Sequence, residues 1–239
     1  MLNNLLNGFK VFVNKKTPLI VLLFAFSFFG LNYLSNVLFE ELAIGISLKE
    51  YPSFLINYYG FDLLWFILAM IGLFFLSNLG IYLIANSITK SNKKIKTDVF
   101  NCLTYTILTA IFFLFIGLIG YFSVLPSGYF SIIMLIILGI IALVVSFITF
   151  FGILFLPVSN TIKDSLRNSW GFIKKRFWAI VLMIIILGII NVAISYAFEI
   201  IYTRIKDSEI ISLILFIFTN TIITMYTTSV FSSFIKKKK

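Results

Sequence analysis

The side chains that could take part in chemistry are few in this sequence, and several reaction classes are excluded by inventory. The chain has no histidine and only one cysteine, Cys102. Serine–histidine and cysteine–histidine catalysis, an intramolecular disulfide and zinc sites built from several cysteines are therefore excluded. An intramembrane enzyme needs an acid–base pair at membrane depth, and no charged residue lies in the middle of a long apolar run. We therefore expect no enzymatic activity, no catalytic residue, no cofactor and no bound metal ion.

Two weaker candidates each leave a second interpretation open. Cys102 begins a predicted membrane span, where palmitoylation is an alternative to the expected role of a small buried residue. Five acidic residues on the predicted outer side could converge on a divalent cation, which prefers oxygen ligands. They have no fixed spacing, so we expect a solvated rim instead. These acids are Glu40, Glu41, Glu50, Asp62 and Glu199.

The longest polar interruption of this apolar chain is LPVSNTIKDSLRNSWGFIKKRFW, residues 156–178. Thr161 followed by Asp164 predicts the start of a helix through a capping box. Apolar residues then recur at helical spacing on one face, and basic residues occupy the other sides. We expect residues 157–176 to form a cytoplasmic amphipathic helix in the membrane interface. The apolar stripe consists of Ile162, Leu166, Trp170, Ile173 and Phe177.

Basic and tryptophan side chains of this segment are the candidate contacts for lipid or for a partner protein. Cytoplasmic flanks of membrane spans are rich in lysine and arginine, tryptophan gathers at the interface, and basic clusters attract anionic headgroups. We therefore expect anionic lipid on the cytoplasmic side as the partner, with a cytoplasmic ATPase or another protein as the alternative, and no nucleic acid. The candidates are Lys163, Arg167, Trp170, Lys174, Lys175, Arg176 and Trp178.

Four asparagines inside predicted spans are the other candidate site residues, because a buried amide needs several hydrogen-bond partners at once. One interpretation makes them the polar lining of a substrate path. The favoured interpretation is hydrogen bonding between helices, which contributes about 0.6 kcal/mol for each bond. The four residues are Asn32, Asn78, Asn191 and Asn220.

The elements that position these residues follow from composition and apolar run length. Of the 239 residues, 61% are hydrophobic and 12% are charged, and the mean hydropathy is +1.08. Soluble domains carry roughly 25% charged residues, and runs of at least ~18 apolar residues predict spanning helices. We expect an all-α polytopic membrane protein, one integral domain formed by a six-helix bundle. The spans are predicted at about 18–39, 61–88, 99–122, 130–156, 177–198 and 210–235, after an interfacial amphipathic helix over residues 1–17.

The distribution of charge between the two sides predicts the orientation of the chain. The predicted inner segments hold 16 of the 19 basic residues, whereas only Asp98 and Asp164 among the acids lie there. Positive charge near the ends of spans governs orientation. Both termini are therefore expected to be cytoplasmic, in a multi-pass protein of the plasma membrane.

Residues 164–187, DSLRNSWGFIKKRFWAIVLMIIIL, carry a resemblance to a known family, as does the opening NGFKVFVNKKTPLIVLL. The sequence resembles the membrane domain found ahead of some glycerophosphodiester phosphodiesterases and its stand-alone bacterial and archaeal relatives. The resemblance covers most of the chain and implies a six-helix membrane protein with a membrane-organising or transport-related role. The phosphodiesterase domain is not in this sequence, so no catalytic residue carries over.

Two functions follow as hypotheses. The first is a non-enzymatic membrane protein whose basic interfacial helices contact anionic lipid. The alternative is the membrane (permease) subunit of an ABC-type transporter, in which the 157–176 segment couples to an ATPase.

Overall fold

The computed structural model describes residues 2–43, 51–89, 95–124, 129–204 and 209–236. Within these ranges the chain is all-helical, with seven α-helices and two short 3₁₀-helices. The helices are α1 Leu2–Gly8, α2 Thr17–Ala43, α3 Tyr51–Thr89, α4 Ile95–Val124, α5 Tyr129–Phe155, α6 Ile162–Arg204 and α7 Glu209–Lys236. The 3₁₀-helices are Phe9–Val13, called the N-terminal 3₁₀-helix below, and Leu156–Val158.

Six of these helices, α2 to α7, are long and apolar enough to cross a membrane. This confirms the predicted all-helical class and the number of long apolar helices. A helix rises 1.5 Å per residue, so the 43 residues of α6 extend about 64 Å. A bilayer core is only about 30 Å thick, so α6 is about twice as long as one crossing requires.

Two helix starts are fixed by threonine side chains. The Thr17 hydroxyl at the start of α2 donates to the carbonyl oxygens of Val11 and Asn14, each at 2.6 Å. Before α6, the backbone N–H of Asp164 donates to Thr161 Oγ1 at 3.0 Å, and that hydroxyl donates to the Asp164 carboxylate at 2.7 Å. The helix start predicted at Thr161 is confirmed, because a side-chain oxygen satisfies one of the N–H groups that a helix leaves without an internal partner.

α6 joins two elements that the sequence predicts as separate. The amphipathic segment and the fifth span form one helix, interrupted at Arg176, where φ is −128° and ψ is 22°. These angles lie outside the α-helical region, so the two parts of α6 meet at a kink. The kink coincides with the predicted boundary between residues 157–176 and the span that begins at 177, and the cytoplasmic placement of 157–176 stays a prediction.

Burial is concentrated at one end of the bundle, called the packed end below. There α2, α4 and α6 begin and α3, α5 and α7 end, and nearly all the buried side chains among those whose exposure is described lie in those halves. The last turns of α7 are buried continuously over residues 228–235. They are surrounded by the N-terminal segment and by α2, α3, α5 and α6. α7 thus connects the N-terminal segment with four of the long helices.

Towards the opposite ends of the helices, many of the apolar side chains that the structure describes are exposed. Ile111 and Phe115 of α4 and Ile136 and Ile140 of α5 all belong to this exposed group. Large apolar patches on a protein surface require a non-aqueous environment or a partner. Together with the six apolar helices, this surface supports a multi-pass membrane protein.

Candidate membrane-contact site

The first four turns of α6 pack against the end of α5 through two serines. Ser165 Oγ donates to the carbonyl oxygen of Gly152, and Ser169 Oγ donates to that of Ile148 at 2.8 Å. The later serine of α6 bonds the earlier residue of α5, so this part of α6 runs antiparallel to the end of α5. Both serines are fully buried, and so is Phe172 one turn further along.

The buried face of this segment therefore differs from the predicted apolar stripe. Ile162, Leu166 and Ile173 are partly buried and pack against the core, but Trp170 and Phe177 are about half exposed. Small residues allow two helix backbones to approach closely, and the serine hydroxyls reach carbonyl groups of the neighbouring helix. Trp170 and Phe177 lie outside this contact, whereas Phe172 is buried with the two serines.

The other side of the segment presents an exposed surface of basic and aromatic residues, called the basic–aromatic face below. Trp170 is 51% exposed and Trp178 is 79% exposed. Four cationic side chains share this surface with them, and all are exposed. Exposed tryptophan beside exposed lysine is the composition typical of the polar boundary of a bilayer. The four cations are Lys163, Arg167, Lys174 and Lys175.

Arg176, the remaining predicted contact residue, is directed differently. It is only partly exposed, and its guanidinium carbon lies 5.8 Å from the ring centroid of Phe172 and 5.9 Å from that of Phe234. Both distances fall within the ~6 Å range of cation–π attraction. Arg176 thus joins the kink of α6 to the end of α7 through these rings, and its predicted contact with lipid or a partner stays a prediction.

Beneath Arg176, an aromatic cluster joins three helices at the packed end. The ring centroid of Phe151 in α5 lies 5.3 Å from the ring centroids of both Phe172 in α6 and Phe231 in α7. Phe150 meets Phe231 edge-on at 5.8 Å, and Phe155 meets Phe172 in the same way at 5.5 Å. Edge-to-face aromatic pairs contribute about 0.5–1.5 kcal/mol beyond the area they bury. This cluster holds the start of α6 in place and orients the basic–aromatic face.

Gly152 permits the closest approach of helices in this region. The Tyr105 hydroxyl of α4 donates to the carbonyl oxygen of Thr149 at 2.7 Å, beside Gly152. A β-carbon at position 152 would collide with that hydroxyl oxygen and would lie 3.3 Å from Leu166 Cδ2 of α6. A residue with a side chain would therefore disturb α4 and α6 together.

The four candidate asparagines have different environments. Asn78 Nδ2 donates to Thr106 Oγ1 at 3.0 Å, which is the hydrogen bond between helices that the favoured interpretation expects. Asn220 Nδ2 donates to the carbonyl oxygen of Phe216 in its own helix at 2.8 Å. Asn32 and Asn191 are partly buried, and their side chains make no hydrogen bond within the described part of the chain. The structure thus gives Asn78 a partner on another helix and Asn220 a partner on its own helix. The side-chain amides of Asn32 and Asn191 have no partner among the described residues.

Asn191 lines a cavity between α6 and α7 of about 190 Å³. The remaining wall is largely apolar, and two aromatic residues of the N-terminal 3₁₀-helix, Phe9 and Phe12, contribute to it. This cavity, called the α6–α7 groove below, brings together residues as far apart in sequence as Phe9 and Thr227, so the sequence offered no signal for it. Its other lining residues are Leu187, Ile190, Ile194, Ile222, Ile223, Tyr226 and Thr227.

The N-terminal segment packs closely on α7 near this groove. The Tyr226 hydroxyl donates to the carbonyl oxygen of Leu5 at 3.2 Å, and the Phe9 and Tyr226 ring centroids lie 5.1 Å apart. A β-carbon on Gly8 would lie 2.6 Å from the Tyr226 ring and 2.7 Å from Val230 Cγ2. The predicted helix over residues 1–17 is a short α-helix followed by a 3₁₀-helix, and its placement at a membrane interface remains a prediction.

Two further expectations concern cysteine and metal. Cys102 is fully buried, which agrees with a small core residue and removes the accessibility that palmitoylation needs. Among the described residues, no group of three histidine, cysteine or acidic side chains could hold a metal ion. The side chains of the five outer acids lie outside the part of the chain whose side chains are described.

Comparisons with protein-family models, curated proteins and solved structures found no match for this chain. The resemblance to the phosphodiesterase-associated membrane domain therefore remains a prediction.

Proposed function

We propose that this protein is a non-enzymatic multi-pass protein of the plasma membrane that contacts anionic lipid through the basic–aromatic face of α6. Both termini lie in the cytoplasm in this proposal, and the packed end faces the cytoplasmic leaflet. The observation that carries it is the exposure of Lys163, Arg167, Lys174 and Lys175 beside Trp170 and Trp178. None of these four cations makes an ion pair or hydrogen bond within the described residues, so their charge is available to headgroups.

The placement of these cations suits a lipid surface. Each lysine or arginine near an anionic membrane contributes about 1 kcal/mol of attraction. The serine contacts with α5 and the aromatic cluster fix the start of α6, so the four charges are held on a rigid support. A rigid array loses less conformational entropy on binding than a flexible basic tail does.

The proposal is tested with the purified protein in a mixture of phosphatidylglycerol and phosphatidylcholine, with bound lipid counted by native mass spectrometry. We expect the anionic lipid to be retained preferentially. In a variant with Lys163, Arg167, Lys174 and Lys175 all changed to Gln, the preference should fall by about two to three orders of magnitude, since four contributions of ~1 kcal/mol are lost.

A matched control removes the same number of charges elsewhere, by changing the four lysines at positions 236–239 to Gln. This control should retain most of the preference. Equal losses in the two variants would mean that net charge, and not the basic–aromatic face, selects the lipid. That result, or retention of both lipids alike by the unaltered protein, would contradict the proposal.

The alternative proposal, the permease subunit of an ABC-type transporter, draws on the same surface. Lys163 and Arg167 are exposed at the very start of α6, where a cytoplasmic ATPase could dock. Affinity purification from native membranes in mild detergent, followed by mass spectrometry, separates the two functions. A stoichiometric nucleotide-binding subunit would support the transporter, and recovery with lipid alone would support the lipid contact.

A further inference from the structure

The α6–α7 groove lies between two helices that could span a membrane, and its lining shares no residue with the basic–aromatic face. Its walls come from α6 and α7, and the two phenylalanines of the N-terminal 3₁₀-helix also line it. We propose that this groove holds one acyl chain of an anionic phospholipid. The lysine between the two phenylalanines, Lys10, pairs with the phosphate of that lipid.

The chemistry of the lining favours a hydrocarbon occupant. Ile190 and Ile194 of α6 face Ile222 and Ile223 of α7 across the groove, and Leu187 extends the same surface. A dry apolar cavity of ~150 Å³ is large enough to bind benzene, so about 190 Å³ has room for roughly eight carbon atoms of a chain. An empty groove would forfeit the dispersion contacts of its lining. The helices on both sides are among the six that could span a membrane, so the chain most available to fill it is that of a lipid.

One polar group of the lining, Asn191, and one lysine next in sequence to the lining residue Phe9, Lys10, suit the head of such a lipid. Asn191 lines the cavity, and its amide makes no hydrogen bond within the described residues. An amide N–H in apolar surroundings is stabilised by an acceptor, and the ester carbonyl at the top of an acyl chain is one. Lys10 follows Phe9 directly and is exposed, so its ammonium group is available to the phosphate beside that ester.

The position of the N-terminal 3₁₀-helix is fixed, which makes the groove a built site. Phe9 packs on Tyr226 at 5.1 Å between centroids, and Gly8 lies against Tyr226 and Val230 without room for a side chain. The aromatic edge of the groove is therefore held on α7 by close packing. Because the site is preformed, little ordering accompanies entry of the chain.

This inference deepens the proposed function and rests on it only for the choice of an anionic headgroup. The test uses phosphatidylglycerol and phosphatidylcholine that each carry a photoreactive diazirine in one acyl chain. After irradiation of the full chain in bilayers, the labelled residues are identified by proteolysis and mass spectrometry. We expect phosphatidylglycerol to label residues 187–194 and 222–227 above the exposed halves of α4 and α5.

Matched variants separate filling of the groove from general damage. Ile190→Trp fills the groove and should reduce labelling there by about tenfold. Ile189→Trp places the same side chain at the neighbouring position, which is 65% exposed, and should leave groove labelling unchanged. Lys10→Gln should lower the preference for phosphatidylglycerol in the groove by about fivefold, whereas Lys15→Gln should not.

The outcomes are distinguishable from those of the test of the basic–aromatic face. Groove labelling no higher than that of the exposed halves in the unaltered protein overturns the acyl-chain site, whatever α6 does with headgroups. Equal groove labelling by the two lipids overturns the pairing with Lys10. Groove labelling that survives removal of the four charges of α6 supports the site, even if the preference measured for the whole protein is lost.

Discussion

Gly152 lies where α4, α5 and α6 meet, and its replacement by alanine should destabilise the packed end. The new β-carbon would collide with the Tyr105 hydroxyl, which is buried and donates to the carbonyl oxygen of Thr149. Overpacking of this kind costs about 1–3 kcal/mol. The higher helix propensity of alanine offsets up to about 1 kcal/mol of that cost. We expect Gly152→Ala to lower the free energy of unfolding by about 1–2 kcal/mol.

A double-mutant cycle with Tyr105→Phe identifies the collision as the cause. Loss of the hydroxyl alone should cost about 0.6 kcal/mol, the mean for a hydrogen bond between membrane helices. With phenylalanine at 105, the nearest ring atom is the one at the Cζ position, 3.0 Å from the added β-carbon. Gly152→Ala should therefore cost less in that background, with a coupling energy of about 1 kcal/mol between the two positions.

The assay is unfolding in mixed detergent micelles, followed by tryptophan fluorescence. Gly171→Ala is the control, because a β-carbon there meets nothing within 4 Å. It should be neutral or stabilising by up to about 1 kcal/mol. The reasoning is refuted if Gly152→Ala behaves like Gly171→Ala, or if it costs the same with tyrosine and with phenylalanine at position 105.

Three further predictions use other contacts of the packed end. Arg176→Gln removes the cation between two aromatic rings and should cost about 0.5–2 kcal/mol in the same unfolding assay; an unchanged midpoint would contradict the cation–π contact. Cys102 is 0% exposed and should resist a maleimide in native bilayers yet react after unfolding, whereas equally fast labelling in both states would show it is accessible. Gly8→Ala collides with α7 and should speed hydrogen exchange of residues 2–13, measured by mass spectrometry, while Gly188→Ala, which meets nothing within 4 Å, should not.

The sequence was sufficient for features that depend on local chemistry or on run length. Six long apolar helices follow from run length, because a span must satisfy its backbone hydrogen bonds internally and needs about 20 apolar residues. The start of α6 follows from Thr161 and Asp164, which lie three residues apart and meet through one turn of backbone. None of these predictions requires knowledge of which helices are neighbours.

The sequence was insufficient for the face on which each helix packs. For the start of α6, hydrophobic periodicity selected the stripe with Trp170 and Phe177, but the structure buries Ser165 and Ser169 instead. Periodicity separates apolar from polar surroundings, and that distinction weakens where both the neighbouring helix and the lipid are apolar. The close contacts at Gly152 could not be predicted from periodicity either, because they depend on which other helices pack against α5.

The packing of α7 has a consequence for how the chain folds during synthesis. The Tyr226 hydroxyl donates to the carbonyl oxygen of Leu5, a partner made 221 residues earlier, and α2, α3, α5 and α6 also contact α7. Contacts between residues so far apart in sequence form late in folding, because the entropy cost of closing the loop between them must first be overcome. During translation, α2, α3, α5 and α6 would thus stand in the bilayer before the helix that they all contact has been made. The packed end would therefore become complete only after α7 has been synthesised and inserted.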